Sequence, residues 1–110
     1  MGRDTLGELE HQVLLAVLRL GGEAYSVPLV AELESRTGRE VAQAAVYIVL
    51  RRLEDKGLLT SRMDDAAAEE TGRVRRYFRA TPLGLRRLRE SRHALQRLWE
   101  GIDSQLDEVG

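Results

Sequence analysis

The chain has 110 residues, of which 43% are hydrophobic and 32% are charged, a composition typical of one folded domain that excludes wholesale disorder. It contains no cysteine, which excludes disulfides, a thiol nucleophile and cysteine-ligated zinc. The net charge is −1, but residues 73–97 hold nine arginines and one acid, and salt screens the acidic stretches beyond about 8 Å, so nucleic acid is not excluded as a partner.

The first two predicted elements are amphipathic helices. In the first, apolar residues recur at steps of three and four, and the pattern stops at Gly21 and Gly22. Its apolar positions are Leu6, Leu9, Val13, Val17 and Leu20. Ser26 is predicted to cap a second, shorter helix, which has Pro28 in its first turn and ends at Gly38.

A third helix is predicted from about Ala42 to Lys56, with Gly57 positioned to end it. Its apolar stripe, predicted to face the core, consists of Ala42, Ala45, Val46, Val49, Leu50 and Leu53. The other face carries Gln43, Tyr47 and Arg51 at a spacing of four, with Ala44 and Ile48 alongside. This face is interpreted either as a solvated helix surface or as a binding surface.

Two strands are predicted at 58–63 and 74–80, joined by a polar turn at 64–72, and we call this hairpin the wing. Alternation sends two sets of side chains of the second strand to opposite faces: Arg73, Arg75, Tyr77 and Arg79 to one, and Arg76, Phe78 and Ala80 to the other. The arginines suit phosphate contact, or they protect an edge strand from aggregation. The acids of the turn, Asp64, Asp65, Glu69 and Glu70, would be repelled by phosphates, so a contact is expected from the base of the wing.

A long fourth helix is predicted from Pro82 towards Leu106, with Thr81 as its cap. Its apolar residues follow a seven-residue repeat in which Arg92 fills the one polar site: Leu85, Leu88, Arg92, Leu95, Trp99, Ile102 and Leu106. A seam of this length also occurs in packing within one domain. Here little of the chain is left to cover it, so we expect these residues to form a dimer interface.

The element order predicts a mainly α protein with a small β-hairpin: a winged helix-turn-helix domain over residues 1–81 and a C-terminal dimerisation helix with its tail over 82–110. In this plan the third helix enters the major groove of DNA. Gln43 would reach an adenine edge or a phosphate, Tyr47 a phosphate, and Arg51 the backbone. The predicted DNA-binding residues are Tyr25, Ser26, Gln43, Ala44, Tyr47, Arg51, Arg73, Arg75 and Tyr77.

Catalysis and metal binding have little support in the sequence. His11 and His93 lie on separate predicted helices without metal-ligand spacing, and there is no phosphate-binding glycine loop or nucleophile elbow. We therefore predict that the protein is not an enzyme and has no cofactor. The longest apolar run, from Val13 to Leu18, is too short to span a membrane, and a cytoplasmic location is expected.

Four stretches of the chain, 6–10, 24–27, 45–59 and 75–84, resemble the PadR family of transcriptional regulators, in its short form with a single C-terminal helix. The family pattern in the third helix is matched by Tyr47, Leu50, Leu53, Glu54, Gly57 and Leu58. Phe78, Thr81 and Gly84 match its Tyr-x-x-Thr-x-x-Gly pattern, with phenylalanine in place of tyrosine. The chain departs from many members in having Ile48 where they have proline, and in its acidic wing turn.

The resemblance implies a dimeric, usually repressing regulator that binds a palindromic promoter element and responds to a small-molecule effector. Trp99 is interpreted as an anchor of the dimer interface or, alternatively, as a stacking surface for such an effector. The expected partners are double-stranded DNA, a second copy of the chain and that effector. Two other functions stay open: a winged-helix module that binds a protein partner, and a dimer that sequesters a ligand.

Overall fold

The computed structural model describes residues 5–65, 72 and 74–109. Its elements are α1 (Glu8–Arg19), β1 (Glu23–Ala24), α2 (Ser26–Thr37), α3 (Gln43–Asp55), β2 (Leu59–Asp64), β3 (Arg75–Ala80), α4 (Pro82–Trp99) and α5 (Asp103–Val109). The predicted order of three helices, a hairpin and a further helix is confirmed. For α3 and the two wing strands, most of the observed ends differ from the predicted ends by one residue.

The sheet has three antiparallel strands in the order β1-β3-β2, one more than the sequence predicted. β2 and β3 pair from Leu59 opposite Ala80 to Asp64 opposite Arg75. β1 adds two residues to the other edge of β3, with Glu23 opposite Arg79. A two-residue strand is too short to show alternation, which is why the sequence did not reveal it. Through β1, the end of α1 is joined directly to the wing.

Phe78 lies at the centre of the core, completely buried on the inner face of β3. Its neighbours in the core come from the three N-terminal helices and the start of β2: Val13, Leu14, Val17, Leu29, Leu33, Val46, Leu50, Leu53 and Leu59. The alternation along β3 that buries Phe78 leaves Arg79 exposed on the other face. The core thereby fixes which wing side chains point outwards.

At α2 and α4, two of the predicted caps agree with the structure and one does not. Gly38 ends α2 in the left-handed conformation with φ of 72°. Thr81 caps α4, since its Oγ1 accepts a hydrogen bond from the backbone N–H of Gly84 at 3.0 Å. The prediction that Ser26 caps α2 was wrong: Tyr25 is the capping residue and Ser26 is the first helical one. The hydroxyl of Ser26 is engaged elsewhere, because it accepts a hydrogen bond from the Gln43 side chain.

The prediction of one helix from Pro82 to Leu106 was also wrong. α4 ends at Trp99, Gly101 takes a positive φ of 79°, and a short α5 follows. A left-handed glycine reverses the helical path, and the seven-residue repeat could not reveal this because apolar residues recur on both sides of it. Ile102 and Leu106 therefore do not continue the α4 stripe. Leu88, predicted in the same seam, is buried in the protein's own core.

Glu10 joins the start of α1 to the end of α3 through a buried carboxylate. It accepts hydrogen bonds from the backbone N–H of Gly7 and from Nζ of Lys56, each at 2.8 Å, and its side chain is only 7% exposed. Burial raises the pKa of this carboxyl, but the hydrogen bonds from Lys56 and Gly7 outweigh burial and hold the pKa below its usual range.

Replacing Glu10 with glutamine is expected to lower the free energy of unfolding by about 2 kcal/mol at neutral pH, the range for hydrogen bonds to charged groups. The depressed pKa means that this stabilisation is present above the ordinary titration range of glutamate and is lost as the pH falls through the folded pKa. Urea denaturation between pH 3 and pH 7 measures both effects. A stability difference between the two proteins that does not shrink with acid would contradict this role.

His11, the next residue on α1, contacts α4 instead. Its Nδ1 lies 2.7 Å from Oγ of Ser91, and burial lowers the pKa of its imidazole, which favours the neutral ring. This pair lines a groove between α1 and the second half of α4, together with Leu6, Arg87, Ala94 and Leu95. α4 is thus held against the domain as far as Ser91, and its residues from 92 to 99 are exposed.

Candidate nucleic-acid interface

α3 presents one buried and one exposed face. Val46, Val49, Leu50 and Leu53 are buried in the core as predicted, whereas Ala45 is only half-buried and Ala42, just before the helix, is exposed. The exposed face consists of Gln43, Ala44, Tyr47, Ile48 and Arg51. The helix begins without a side-chain cap, and Gln43 in its first turn extends across to α2.

Tyr47 is held by a ring contact on one side and by a charged partner on the other. Its ring meets the edge of Phe78, with centroids 6.2 Å apart and planes at 80°. Its hydroxyl accepts a hydrogen bond from Nη1 of Arg51 at 3.3 Å, and this guanidinium lowers the pKa of the phenol. Arg51 in turn lies 3.4 Å from Glu54 through its Nε. The phenol and the guanidinium are therefore presented side by side.

The start of α2 lies between α3 and the wing. Nε2 of Gln43 donates a hydrogen bond to Oγ of Ser26 at 3.3 Å. Tyr25 packs against Tyr77 with centroids 5.3 Å apart, and the guanidinium of Arg75 stacks 4.5 Å above the Tyr25 ring. Residues predicted separately from the sequence, on α2, α3 and β3, are thus brought to one surface.

These residues line a groove between α3 and the wing, which we call the reading groove. Its lining consists of Tyr25, Ser26, Val27, Gln43, Tyr47, Met63, Val74, Arg75 and Arg76. Two of its walls, Met63 and Val74, are exposed apolar residues that the sequence did not single out. Tyr77 packs against the ring of Tyr25 but does not itself line the groove.

Arg76 was predicted on the inner side of the wing, and it lies there in the structure, where it lines the reading groove. Its Nη1 donates a hydrogen bond to Oγ of Ser61 at 2.9 Å, and Ser61 donates to Glu54. Its Nε is buried and has no hydrogen-bond partner within the described part of the chain. Ser61 lies opposite Phe78, so Arg76 stays on the core side that sequence alternation assigned to it. The alternation could not show that this side opens into the groove.

The outer face of the wing is neutralised by an acid that no sequence pattern singles out. Arg62 donates two hydrogen bonds to the carboxylate of Glu23, at 2.9 and 3.1 Å, and Arg79 lies 3.7 Å from it. The Arg62 hydrogen bonds lower the pKa of Glu23. Three strands contribute to this cluster, so its members are far apart in the sequence. Arg79 is engaged on this side, whereas Arg75 faces the reading groove.

Two predicted features cannot be placed. Arg73, predicted to contact DNA, lies outside the described residues, and so do Glu69 and Glu70 of the acidic wing turn. Asp64 is described and lies 4.0 Å from Arg62.

The predicted dimer residues on α4 are mostly exposed. Leu85 is exposed near the start of the helix, Arg92 and Leu95 are exposed in its second half, and Trp99 at its end is 50% exposed. Leu98, which falls outside the seven-residue repeat, is 74% exposed. Trp99 does not belong to the lining of the groove between α1 and α4. An apolar surface of this kind is typical of an interface that a monomer leaves uncovered.

Across the described residues, no group of three His, Asp or Glu side chains is arranged to hold a metal ion. None of the described helices has the length and apolar character needed to cross a membrane.

Three helices, a hairpin and an exposed recognition-helix face that carries Gln43, Tyr47 and Arg51 beside a basic strand define a winged-helix DNA-binding protein. The sequence model of the PadR-like transcriptional regulator family matches residues 14–90. The chain therefore belongs to the PadR-like family, whose members are transcriptional regulators and not enzymes.

Individual relatives agree with this assignment. The chain is 44% identical over 78 residues to transcriptional regulator Rv3488 of Mycobacterium tuberculosis, a match that covers 69% of this chain and 66% of that protein. A crystal structure of a PadR family regulator from Eggerthella lenta superimposes with a TM-score of 0.70 at 34% identity, over 86% of this chain and 80% of that one. A PadR family regulator from Clostridium difficile shares the fold, with a TM-score of 0.73 at 17% identity, over 91% and 99% of the two chains.

Proposed function

We propose that this regulator is a cytoplasmic repressor that binds a pseudo-palindromic operator as a homodimer. The observation that carries the proposal is the reading groove, where α2, α3 and the wing place Gln43, Tyr47 and Arg75 on one surface. Amide, phenol and guanidinium groups are the donors that proteins direct at base edges and phosphates. The stacking of Arg75 on Tyr25 holds the guanidinium towards this surface, where a phosphate would meet it.

The exposed residues of α4 support the homodimer. Leu85, Leu95 and Trp99 leave a row of apolar surface along a helix whose residues beyond Ser91 are all exposed. Pairing two such helices would bury this row and place two recognition helices on one DNA duplex, as a pseudo-palindrome requires. Arg92 occupies the polar position within this row, so we expect a seam that is wet at that point.

For the effector, we propose a flat, apolar small molecule that stacks on Trp99 between the two copies. Half of the indole is available to a ligand in the single chain, and a partner helix would provide the opposite wall. Titration of Trp99 fluorescence with planar aromatic compounds tests this step, and a signal unchanged by every compound that alters operator binding would contradict it.

The test of DNA reading is selection from random duplex followed by salt titration on the selected sequence. Affinity should fall steeply with salt, because each phosphate contact releases counterions. Arg75→Ala should reduce the slope of log K against log salt by about 0.9 for each phosphate that the arginine neutralises. Arg36→Ala is the matched control, since Arg36 is an exposed arginine on the last turn of α2, paired with Glu32.

The alternative, a module that binds a protein partner, has one observation in its favour: Val27, Met63 and Val74 make part of the reading groove apolar. The same selection separates the two functions. Enrichment of a defined sequence supports the repressor, whereas equal binding of all duplexes, with Arg75→Ala and Arg36→Ala indistinguishable, would overturn it.

A further inference from the structure

The side of α3 that lies opposite its buried stripe is unexpectedly apolar. Ala44, Ile48 and Arg51 follow one another there at steps of four and three, so they form a single line along the helix. Ile48 is 57% exposed, more than the other large hydrophobic residue exposed on α3, Tyr47 at 37%. The outermost side chains of the recognition helix are thus two aliphatic groups followed by a cation and, at the last residue of the helix, by Asp55.

A single exposed isoleucine is common on protein surfaces, but the surroundings of Ile48 narrow what can contact it. Arg51 and Arg52 are exposed beside it, and Gln43 lies at the start of the same helix. The surface area of two aliphatic side chains is far smaller than the roughly 800 Å² that each partner buries in a stable protein interface. A small apolar target inside a phosphate-lined groove fits both the size of the patch and the two cations, Arg51 and Arg52, that follow Ile48 by one turn.

We propose that Ile48, together with Ala44, determines specificity by contacting the 5-methyl groups of thymines in the major groove. This inference rests on the proposed function and adds to it the kind of base that is read. Among the four bases, only thymine presents a methyl group in the major groove, whereas the other groups there are hydrogen-bond donors and acceptors. An aliphatic side chain gains free energy by covering a methyl and forms no hydrogen bond with the other edges.

Gln43, at the start of the same helix, also favours an A·T pair. Its amide can pair with the N6 and N7 edge of adenine, the partner of thymine. The part of the operator under the first two turns of α3 is therefore rich in A·T pairs. Arg51 lies one turn after Tyr47 and donates a hydrogen bond to its hydroxyl. It contacts the phosphate backbone beside this A·T-rich segment.

The experiment uses deoxyuridine, which differs from thymine in the missing methyl alone. Each thymine of the selected operator is replaced in turn, and affinity is measured by fluorescence anisotropy at fixed salt. Loss of a covered methyl should weaken binding about fourfold, the equivalent of about 0.8 kcal/mol. Ile48→Ala should bind the thymine and deoxyuridine operators equally at the affected position and keep its response at the other positions.

Leu18→Ala serves as the matched control, because Leu18 is an exposed aliphatic residue on α1. It should keep the full deoxyuridine response. Ile48→Ala is expected to unfold at the same temperature as the parent protein, since an exposed β-branched residue gives way to a better helix former. Wild-type protein that binds a defined sequence but ignores every deoxyuridine overturns this inference alone. Failure to select any sequence overturns it together with the proposed function.

Discussion

Replacing both Leu95 and Trp99 with glutamate is expected to convert the regulator to monomers and to weaken binding to a two-half-site operator about 100-fold. Each side chain is about half exposed on the second half of α4, where a partner helix would cover it. A buried pair of carboxylates facing the same residues of a second copy would repel across the seam. Two linked recognition domains gain about 10²- to 10⁴-fold over one from effective concentration, and the variant loses this gain.

Sedimentation velocity gives the assembly state, and anisotropy on full and half operators gives the affinities. His93→Glu is the matched control, because His93 is exposed on α4 but lies on another side of the helix from Leu95 and Trp99. The control should stay dimeric and bind both operators as the parent does. A parent protein that sediments as a monomer, or a double variant that stays dimeric, would contradict the α4 interface.

Gly84→Ala is expected to cost about 3 kcal/mol of the free energy of unfolding, at the upper end of overpacking effects. A Cβ at this position would overlap the carbonyl oxygen of Leu58, in the backbone between α3 and β2. That carbonyl accepts a hydrogen bond from the N–H of Thr81 at 3.1 Å. Moving the carbonyl away would break this hydrogen bond, which ties the start of α4 to the backbone at Leu58. The obstacle is backbone, which cannot yield as a flexible side chain would.

Urea denaturation, followed by circular dichroism, measures this loss as a fall in the midpoint of unfolding. Gly7→Ala is a matched substitution without the overlap, since the nearest atom to its Cβ is Oε1 of Glu10 at an ordinary 3.6 Å. It should cost less than about 1 kcal/mol, in keeping with its place as the capping residue of α1. Equal losses for the two variants would show that the contact between α4 and Leu58 is not tight.

The sequence predicted the elements that carry a repeating pattern. The buried stripe of α3, the alternation around Phe78 and the Thr81-Pro82 start of α4 are all local signals, and the structure agrees with each. Features that carry no repeating pattern were missed. β1 is only two residues long and forms by pairing with β3. The end of α4 at Trp99 depends on the backbone conformation at Gly101.

The same distinction applies to the candidate interface. Gln43, Tyr47 and Arg51 could be chosen from helical spacing alone, because their exposure follows from the position of the buried stripe. The stacking of Arg75 on Tyr25, the hydrogen bond from Arg76 to Ser61 and the ion pair of Arg62 with Glu23 involve residues 15 to 50 positions apart. No periodicity links such residues, so only the folded chain could show which wing arginines face the reading groove.

Glu10 and His11 are adjacent on α1 and point about 100° apart, one towards the end of α3 and the other towards α4. In a dimer that pairs through α4, the distance between the two recognition helices is then set by the angle at which α1 meets α4, near Ser91. In such a dimer, half-site spacing and base preference would be separable properties. Substitutions at His11 or Ser91 would change which spacing of operator halves is bound, whereas substitutions on α3 would change which bases are read.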